Sequence, residues 1–474
     1  MEKFFGREKE LQKIRSLITS GRSEFLAVYG RRRVGKTMLI REALQQNFTF
    51  RLTAIGNADK RQQLVNFHTS LKKLVAPHKE LPIPKNWFEA FQQLIEYLEN
   101  STAERKLVFL DELPWFDTAK SDFMPSLEHF WNSWASYRSD VILVVCGSAA
   151  SWMINELINH KGGLHNRLTA RIRLEPFTLK EAEALLKDKN QTIDRYQIIQ
   201  IYMVTGGIPF YLNNFDGGLS AMQNIENLCF TQDGPLRNEF NNLFPALFSN
   251  SERHIAIVEA IAAKNKGLTR KEIIEATRLP GNGSTSKLLM ELEESGFIRK
   301  YIPFGRDKRE SLYQLIDLYT LFYLKFIRKG ELLDENNWIN AMESSLYRAW
   351  SGYAFELVCL CHILQIKQGL SISGMITQAA SWRGGNRDKS AQIDLLIDRR
   401  DHVINLCEIK FSQYKFTITK EYAAQLEQKM AIFQAETATT KAVWLTMIST
   451  FGLQENDYSR RLVQKSVTME VLFN

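Results

Sequence analysis

A loop pattern near the start of the chain constrains the fold more than any other feature. Residues 30–37 read Gly-Arg-Arg-Arg-Val-Gly-Lys-Thr and fit the pattern G-x-x-x-x-G-K-[ST]. The pattern lies between an apolar run, Phe25–Tyr29, and a segment with helical periodicity, Thr37–Leu44. A strand, a glycine-containing loop and a helix in this order predict a parallel α/β sheet whose loop wraps phosphate groups.

The residues of this loop have separate expected roles. The glycines let backbone N–H groups approach the phosphates, and the helix N-terminus adds a favourable dipole. Lys36 is expected to pair with β- and γ-phosphate oxygens, and the Thr37 hydroxyl to ligate Mg²⁺. The predicted ATP contacts in this segment are Gly30, Arg31, Arg32, Arg33, Val34, Gly35, Lys36, Thr37 and Met38.

A second apolar run, residues 107–110, is followed by two carboxylates, Asp111 and Glu112. A short apolar run of this kind predicts a buried strand. We expect Asp111 to bind the Mg²⁺ shell and Glu112 to polarise the attacking water. The loop and the carboxylate pair together predict a nucleotide-hydrolysing site.

Three more polar residues are candidates for the same site. Ser148 follows the apolar run 141–146 and is either a lateral contact to the γ-phosphate or an ordinary strand-end serine. Arg167 and Arg171 follow later in the chain, and either is a candidate arginine finger. A plain surface arginine is an equally good interpretation of each.

The organisation of the rest of the chain follows from hydrophobic periodicity. Apolar runs alternate with helical patterns over residues 1–175, which predicts a parallel sheet covered on both faces. Helical patterns alone continue over residues 176–250. Residues 251–335 read as three helices and a hairpin, the order of a winged helix, with a capping box at Thr269–Glu272. Residues 340–474 read as a smaller α/β unit.

The hairpin region is basic, which suggests phosphate contacts without sequence selection. A regulatory domain that only packs against the ATPase part is an equally good interpretation. The basic residues are Lys287, Arg299, Lys300, Arg306, Lys308 and Arg309, and a second basic loop spans residues 382–389.

Two carboxylates and a lysine are expected to meet in the C-terminal block. Glu408 and Lys410 are two residues apart in an apolar strand and therefore share a face. Asp394 lies in the preceding strand, which is expected to pair with theirs as a hairpin. Asp394 and Glu408 are predicted Mg²⁺ ligands, and Lys410 is expected to orient water or steady negative charge during phosphodiester hydrolysis.

Residues 1 to about 250 resemble the archaeal-type ATPases of the AAA+/STAND group. The resemblance rests on Phe5–Leu11, on the two nucleotide-site motifs and on Thr205-Gly-Gly-Ile-Pro209. It implies that Arg7 and Pro209 contact the nucleotide. The Gly-Gly-Ile-Pro segment contains no arginine, so a second sensor arginine is not expected there and a ring motor is less favoured than an ATP switch.

The C-terminal block resembles the PD-(D/E)XK nuclease superfamily. This resemblance implies a further acidic metal ligand on the preceding helix, where Glu356 fits, and Gln425 on the next helix is a weaker candidate. Two alternatives remain open: a degenerate or structural version of the domain, and an unrelated charged hairpin. A zinc site at Cys359, Cys361 and His362 is disfavoured, because adjacent helical positions do not converge on one metal.

Composition adds expectations about partners and compartment. Lys and Arg total 61 and Asp and Glu total 53, so the formal net charge of +8 permits a polyanion partner without requiring one. Five cysteines do not suggest a disulfide framework. The uncharged apolar run Val141–Asn155 is too short for a membrane-spanning helix. We expect a cytoplasmic protein with DNA as partner, no membrane partner, and room for a homo-oligomer.

These features predict an α/β protein with a P-loop NTPase parallel sheet, a helical extension, a winged-helix domain and a small restriction-endonuclease-like domain. The leading hypothesis is an ATP-binding and hydrolysing protein, with ATP and Mg²⁺ as cofactors, that controls a C-terminal DNA nuclease. The alternative is a nucleotide-dependent DNA-binding or signalling switch whose C-terminal domain is catalytically inactive. A molecular motor, which would form ATP-dependent rings or filaments, is a third hypothesis.

Overall fold

Parallel strands and their connecting helices make up the first of two units into which the chain divides, Met1–Pro176 and Phe177–Asn474. The computed structural model describes residues 3–45, 47–75, 80–118, 120–158, 166–248, 250–328, 337–385 and 390–474. In the described part of the first unit the strands are β1 Glu24–Tyr29, β2 Phe50–Thr53, β3 Lys106–Asp111, β4 Val141–Gly147 and β5 Ala170–Arg173. The helices are α1 Glu8–Ile18, α2 Lys36–Ala43, α3 Lys60–Lys72, α4 Trp87–Glu99, α5 Phe123–Ser133 and α6 Ala150–Trp152.

The sheet of the first unit has the strand order β2-β3-β4-β1-β5, and every neighbouring pair is parallel. All residues of β3 and β4 are buried, as expected for strands covered on both faces. Aromatic side chains of α3, α4 and α5, including Phe67, Trp87 and Phe130, pack in one core with Phe25 of β1. The predicted parallel sheet is confirmed. Because β4 lies between β1 and β3, the loops that follow these three strands meet at one edge.

The second unit begins with helices, as the sequence predicts. Side chains of Thr178, Asp194 and Ser220 cap the N-termini of three of them by accepting backbone N–H groups. The helices of this segment are α7 Leu179–Lys189, α8 Arg195–Thr205, α9 Pro209–Leu212, α10 Ala221–Cys229 and α11 Glu239–Leu243.

Three helices, a small antiparallel sheet and a short fourth helix come next. The predicted capping box is present, since Thr269 accepts from the backbone N–H of Glu272 while Glu272 accepts from that of Thr269. The sheet order is β6-β8-β7, and the two-residue β6 was not predicted. The elements are α12 Ser251–Ala262, β6 Leu268–Thr269, α13 Arg270–Thr277, α14 Gly283–Glu294, β7 Ile298–Tyr301, β8 Leu312–Leu315 and α15 Leu318–Phe322.

The C-terminal part of the second unit is built on a mixed sheet of order β13-β12-β11-β10-β9. Strands β9, β10 and β11 pair antiparallel, whereas β11, β12 and β13 pair parallel. The strands are β9 Thr377–Gly385, β10 Ser390–Arg399, β11 Val403–Lys410, β12 Ala442–Ser449 and β13 Val463–Thr468. The helices are α16 Asn337–Ala341, α17 Ser345–Cys361, α18 Ile363–Gly369, α19 Lys420–Thr437 and α20 Asp457–Leu462.

The helical segment that carries Glu356 breaks at His362, between α17 and α18. The His362 ring accepts a hydrogen bond from the backbone N–H of Leu179 at 3.0 Å and contacts the Val358 carbonyl oxygen at 2.8 Å. This buried contact holds α17 and α18 at 79° to each other. Within the described ranges no single helix is long and apolar enough to cross a membrane, although this bent pair passes that test by length and composition.

Candidate functional site

The predicted phosphate loop connects the end of β1 to the start of α2. Gly30 has a φ of 146°, and a Cβ atom there would lie 2.3 Å from the Leu174 carbonyl oxygen. Gly35 has a φ of 91° at the N-cap of α2. Glycine adopts such conformations without the steric cost that other residues meet. The shape of the loop therefore depends on both glycines of the motif.

Lys36 is buried at the base of this loop. Its ammonium group donates to the carbonyl oxygens of Gly30 at 3.1 Å and Arg31 at 2.9 Å. Burial lowers the pKa of Lys36, an effect opposed by the nearby Asp111 and Glu112 carboxylates. The cation is thus held inside the loop, where the sequence predicts that it meets phosphate oxygens.

The Thr37 hydroxyl and the Asp111 carboxylate lie side by side. Thr37 Oγ1 donates to Asp111 Oδ2 at 3.1 Å, and the Cys146 thiol donates to Asp111 Oδ1 at 3.0 Å. Burial raises the pKa of Asp111, and the hydrogen bonds from Cys146 and Thr37 oppose that rise. A hydroxyl and a carboxylate oxygen are ligand types that Mg²⁺ takes when it also holds nucleotide phosphates. These two residues fit the predicted metal.

Glu112 is held by Ser148 across neighbouring strand ends. The Ser148 hydroxyl donates to Glu112 Oε1 at 2.6 Å, and the Ser148 backbone N–H donates to Oε2 at 3.2 Å. Glu112 itself has a left-handed backbone, with a φ of 54°. The sequence did not predict this contact. It gives Ser148 a partner other than the γ-phosphate, and the contact with phosphate stays a prediction.

Arg7 braces the phosphate loop from the N-terminal motif. Its side chain is 4% exposed, and its guanidinium donates to the carbonyl oxygens of Val34 at 3.3 Å and Glu175 at 2.7 Å. Its role in nucleotide contact stays a prediction. The hydrogen bond to Val34 connects the motif at residues 5–11 to the phosphate loop.

The other predicted nucleotide-site residues fall in several environments. Arg31 and Val34 are buried, Arg32 and Arg33 are partly buried, and Met38 is 37% exposed. Arg167 is exposed in a turn before β5. Pro209 belongs to the second unit and is the first residue of α9.

In the second unit, the predicted hairpin brings Asp394 and Glu408 together. Strands β10 and β11 pair antiparallel with Leu395 opposite Cys407, and Asp394 and Glu408 are the next residues of the two strands beyond this pair. The charges of both carboxylates act on Glu356 and on Tyr422. The hairpin is confirmed.

Asp394 lies in an irregular part of β10. The pairing of β10 with β9 changes register between Ile393 and Leu396, which marks a bulge around Asp394. A bulge re-aims the side chains of a strand and is common next to functional sites. Gln392 also donates a hydrogen bond to the Asp394 carboxylate.

Glu408 is surrounded by hydrogen-bond donors. Tyr422 donates to Oε1 and Lys429 to Oε2, both at 2.6 Å, and Lys410 lies 3.1 Å from Oε1. Burial would raise the pKa of Glu408, but the charges of Lys429 and Lys410 outweigh it and hold this pKa below its usual range. The carboxylate therefore stays ionised at neutral pH.

Tyr422 and Lys429 were not predicted from the sequence. They are seven residues apart on α19 and so lie on one face of the helix. That spacing is the signal that could have found them. Gln425, the weaker candidate on the same helix, is exposed.

Glu356 on α17 is electrostatically coupled to the pair. Burial and the charges of Asp394 and Glu408 raise the pKa of Glu356 to about 8. Glu356 is consequently protonated for the most part at neutral pH in the absence of an additional cation. Lys266, in the turn before β6, also interacts with these carboxylates. Burial lowers the pKa of Lys266, and the charges of Asp394 and Glu356 oppose that change.

Two carboxylates, Asp394 and Glu408, are the candidate metal ligands of this second site. Within the described part of the chain no group of three or more His, Cys, Asp or Glu residues is arranged to hold a metal ion. Mg²⁺, however, is commonly bound through one or two carboxylates and keeps several waters. Asp394 and Glu408 meet that requirement, although Glu408 would have to give up a present partner.

Two of the predicted basic residues on and around the small sheet, Arg299 and Arg306, bind neighbouring side chains. Arg299 donates to Gln314 Oε1 at 2.8 Å, and its guanidinium lies 4.8 Å from the Tyr301 ring centre. Arg306 pairs with Glu310 at 3.2 Å. Lys287, Lys300, Lys308 and Arg309 are exposed. Residues 386–389 of the second basic loop lie outside the described residues.

The parallel sheet, its phosphate loop and the Thr37–Asp111 contact define a nucleoside triphosphatase domain. Residues 4–215 match the family model of an ATPase domain predominantly from Archaea. This part of the chain is therefore an archaeal-type ATPase domain.

The chain is also similar to individual proteins. An uncharacterised protein of Methanocaldococcus jannaschii is 21% identical over 430 residues, which cover 90% of this chain and 91% of that protein. A Walker-type ATPase of Pyrococcus abyssi has a TM-score of 0.51 at 17% identity and covers 68% of this chain and 96% of its own. The ORC2 protein of Aeropyrum pernix has a TM-score of 0.39 at 14% identity, covering 73% and 98%. The Pyrococcus abyssi match supports the fold.

Proposed function

We propose that this protein binds and hydrolyses ATP and that its nucleotide state controls a Mg²⁺-dependent DNA nuclease site at Asp394, Glu408 and Lys410. The match of residues 4–215 to an ATPase family supports the first part. The convergence of two carboxylates and a lysine from β10 and β11 supports the second.

The side chains of the second site suit phosphodiester hydrolysis. Asp394 and Glu408 would hold the metal, which when bound lowers the pKa of a coordinated water and offsets charge on the scissile phosphate. Lys410 would orient the attacking water or stabilise negative charge that develops on the phosphate. Tyr422 and Lys429 keep the Glu408 carboxylate ionised and oriented.

One stacking contact carries the proposal that the ATPase part controls the nuclease part. The Tyr196 ring of α8 stacks on Phe411, with ring centres 5.2 Å apart and planes 8° from parallel. Tyr196 lies within the segment that matches the ATPase family, and Phe411 directly follows Lys410. A shift of α8 with the nucleotide state would therefore displace Phe411, which is the residue next to Lys410.

The proposal also includes the outer parts of the second unit. Residues 176–250 serve as a helical lid, and residues 251–335, with three helices before the β7–β8 hairpin, serve as a winged-helix domain. The order of these elements supports the second assignment. Residues 340–474, with a helix before a mixed sheet and α19 after the hairpin, serve as the PD-(D/E)XK nuclease-like domain.

Cleavage of circular DNA tests the proposal. Double-stranded and single-stranded circles are incubated with the full-length protein and Mg²⁺, with and without ATP, and the products are separated by gel electrophoresis. We expect cleavage that depends on ATP, that Asp394→Asn abolishes, and that Lys36→Ala makes insensitive to ATP.

Asp398→Asn is the matched control, because Asp398 lies on the same strand but pairs with Lys441. It should cleave like the wild type. Equal cleavage by Asp394→Asn, or no cleavage with any divalent metal and nucleotide, would contradict the nuclease proposal.

A second candidate function is a nucleotide-dependent DNA-binding or signalling switch with an inactive C-terminal domain. It is favoured by the engagement of both Glu408 oxygens by Tyr422 and Lys429. This candidate predicts ATP-dependent retention of DNA without strand breaks, and no effect of Glu408→Gln on that retention.

A further inference from the structure

A cavity within the second unit opens beside Asp394. It has a volume of about 510 Å³ and lies between the small antiparallel sheet and strands β9 and β10 of the C-terminal sheet. A backbone hydrogen bond from Phe304 N–H to the Ser381 carbonyl oxygen, 2.7 Å long, joins the segment between β7 and β8 to β9. The cavity is therefore bounded on two sides by regular structure.

The walls of the cavity combine three kinds of chemistry. Three cations, Arg299, Lys300 and Lys308, lie along the side formed by the small sheet and the segment that follows it. Apolar and aromatic groups, among them Tyr301 and Ile302, and two carboxylates, Glu293 and Asp394, form other parts of the wall. Cations that track a backbone and aromatic faces that stack on bases are together the features of sites for single-stranded nucleic acid.

Contacts with neighbouring side chains position two of these cations, Arg299 and Lys300. Hydrogen bonding to Gln314 and packing over the Tyr301 ring fix the Arg299 guanidinium. The Lys300 ammonium lies 5.8 Å from the centre of the Tyr313 ring on the neighbouring strand. An anion that enters the cavity would therefore meet one fixed guanidinium and two exposed lysines.

The size and the location of the cavity limit what can enter. A volume of about 510 Å³ is that of a pocket for a small molecule, which is too small for a double helix. In a duplex the bases are stacked inside and must be unstacked before they can reach a pocket. Asp394, a proposed metal ligand, forms part of the wall, so a nucleotide in the cavity has its phosphate next to the proposed site.

We propose that this cavity binds an unpaired nucleotide and that single-stranded DNA is the substrate of the second site. The assignment of single-stranded DNA as a substrate rests on the proposed nuclease function. Binding of the nucleotide is argued from the cavity alone. The cations hold the backbone, and Tyr301 and its apolar neighbours contact the base.

Binding without metal tests the inference separately from cleavage. Fluorescence anisotropy of labelled oligothymidylate and of a blunt duplex of equal length is measured with the full-length protein in EDTA at one fixed ionic strength. We expect the single strand to bind about tenfold more tightly than the duplex, the effect of roughly one stacked base.

Two kinds of variant separate the cavity from general surface charge. Ile302→Trp fills the cavity and keeps its cations, and we expect the single strand to bind no better than the duplex. Lys300→Ala combined with Lys308→Ala should weaken single-strand binding severalfold, whereas Lys180→Ala, which removes an exposed lysine of α7, should leave it unchanged.

The outcomes distinguish the two proposals. Equal affinity of the wild type for both DNA forms, or undiminished single-strand preference in Ile302→Trp, would overturn the cavity assignment even if circular DNA is cleaved. A single-strand preference that Ile302→Trp removes supports the cavity even if no DNA is cleaved, a result in which only the nuclease proposal fails.

Discussion

At the scale of single residues, the nucleotide site depends on contacts that sequence motifs do not reveal. The motifs identify Lys36, Asp111 and Glu112, but each of these side chains is held by a residue outside its own motif or by the loop backbone. The Glu112–Ser148 contact is the most informative case. It connects the proposed base to the end of the neighbouring strand and so controls where the carboxylate points.

Ser148→Ala tests that contact. We expect kcat for ATP hydrolysis to fall severalfold with KM for ATP little changed, because the Ser148 hydroxyl donates to the Glu112 carboxylate and orients it. Steady-state phosphate release measures both constants, and Ser148→Thr, which keeps the hydroxyl, should restore most of kcat. A large rise in KM with unchanged kcat would instead favour the predicted contact of Ser148 with the γ-phosphate.

Gly30→Ala tests the backbone of the phosphate loop. The new Cβ atom would meet the Leu174 carbonyl oxygen at 2.3 Å, and the φ of 146° is strained for any residue with a side chain. We expect a loss of at least about 1–3 kcal/mol in the free energy of unfolding. Chemical denaturation measures this loss. Gly35→Ala, where nothing lies within 4 Å of a Cβ atom, should cost less stability.

At the scale of helices and strands, the sequence predicts the elements with strong hydrophobic patterns. The buried strands β3 and β4 and the helix α2 fall close to their expected bounds. The edge strand β9 was missed because Trp382 is its one buried residue and glycines end it. The other edge strand, β13, was missed because its central residues 464–466 are polar and exposed.

The same reasoning explains which site residues could be predicted. Asp394 and Glu408 are joined by one short hairpin, so alternation along two adjacent strands brings them together. Tyr422 and Lys429 reach Glu408 only because α19 packs on the sheet, and the sequence does not specify which helical face does so. The bulge beside Asp394 depends on the pairing with β9, a strand that lacks a clear hydrophobic pattern.

The break between α17 and α18 predicts a dependence of stability on acid. Burial lowers the pKa of His362 below 6.5, so the unfolded chain binds this proton more readily than the folded protein. The contribution of neutral His362 to stability is complete above pH 6.5. It is lost at up to about 1.4 kcal/mol per pH unit as the pH falls from 6.5 towards the lowered pKa.

Urea unfolding at pH 7.5 and at pH 5.5 measures this contribution. His362→Gln cannot take up the proton, so its free energy of unfolding should fall less between these pH values than that of the wild type. Identical pH dependence in the two proteins would show that His362 does not titrate within this range.

At the scale of the whole molecule, a nucleotide site and a proposed nuclease site occupy different units of one chain. The family match extends from the first unit into the second, because it ends at residue 215 while the second unit begins at residue 177. Helix α8 lies in this shared segment. Loss of the contact between Tyr196 of this helix and Phe411 should therefore weaken the control of DNA cleavage by ATP and leave ATP hydrolysis unchanged.

Tyr196→Ala tests that separation. Removal of the ring deletes a stacking interaction worth about 0.5–1.5 kcal/mol. We expect the stimulation of DNA cleavage by ATP to fall by about twofold to tenfold while the ATPase rate is unchanged. Tyr196→Phe keeps the ring and should behave as the wild type. A parallel loss of ATPase activity in Tyr196→Ala would mean that the ring serves the ATPase part directly.

The mixed C-terminal sheet also sets an order of events during synthesis of the chain. Lys429, which is 21 residues beyond Glu408, is added to the chain after both strands of the β10–β11 hairpin. At 5–20 residues per second the interval is about 1–4 s. During that time Lys410 is the basic residue nearest to Glu408 in the sequence. We therefore expect the β10–β11 hairpin of a nascent chain to close fully only after α19 has been synthesised and brings Lys429 to Glu408.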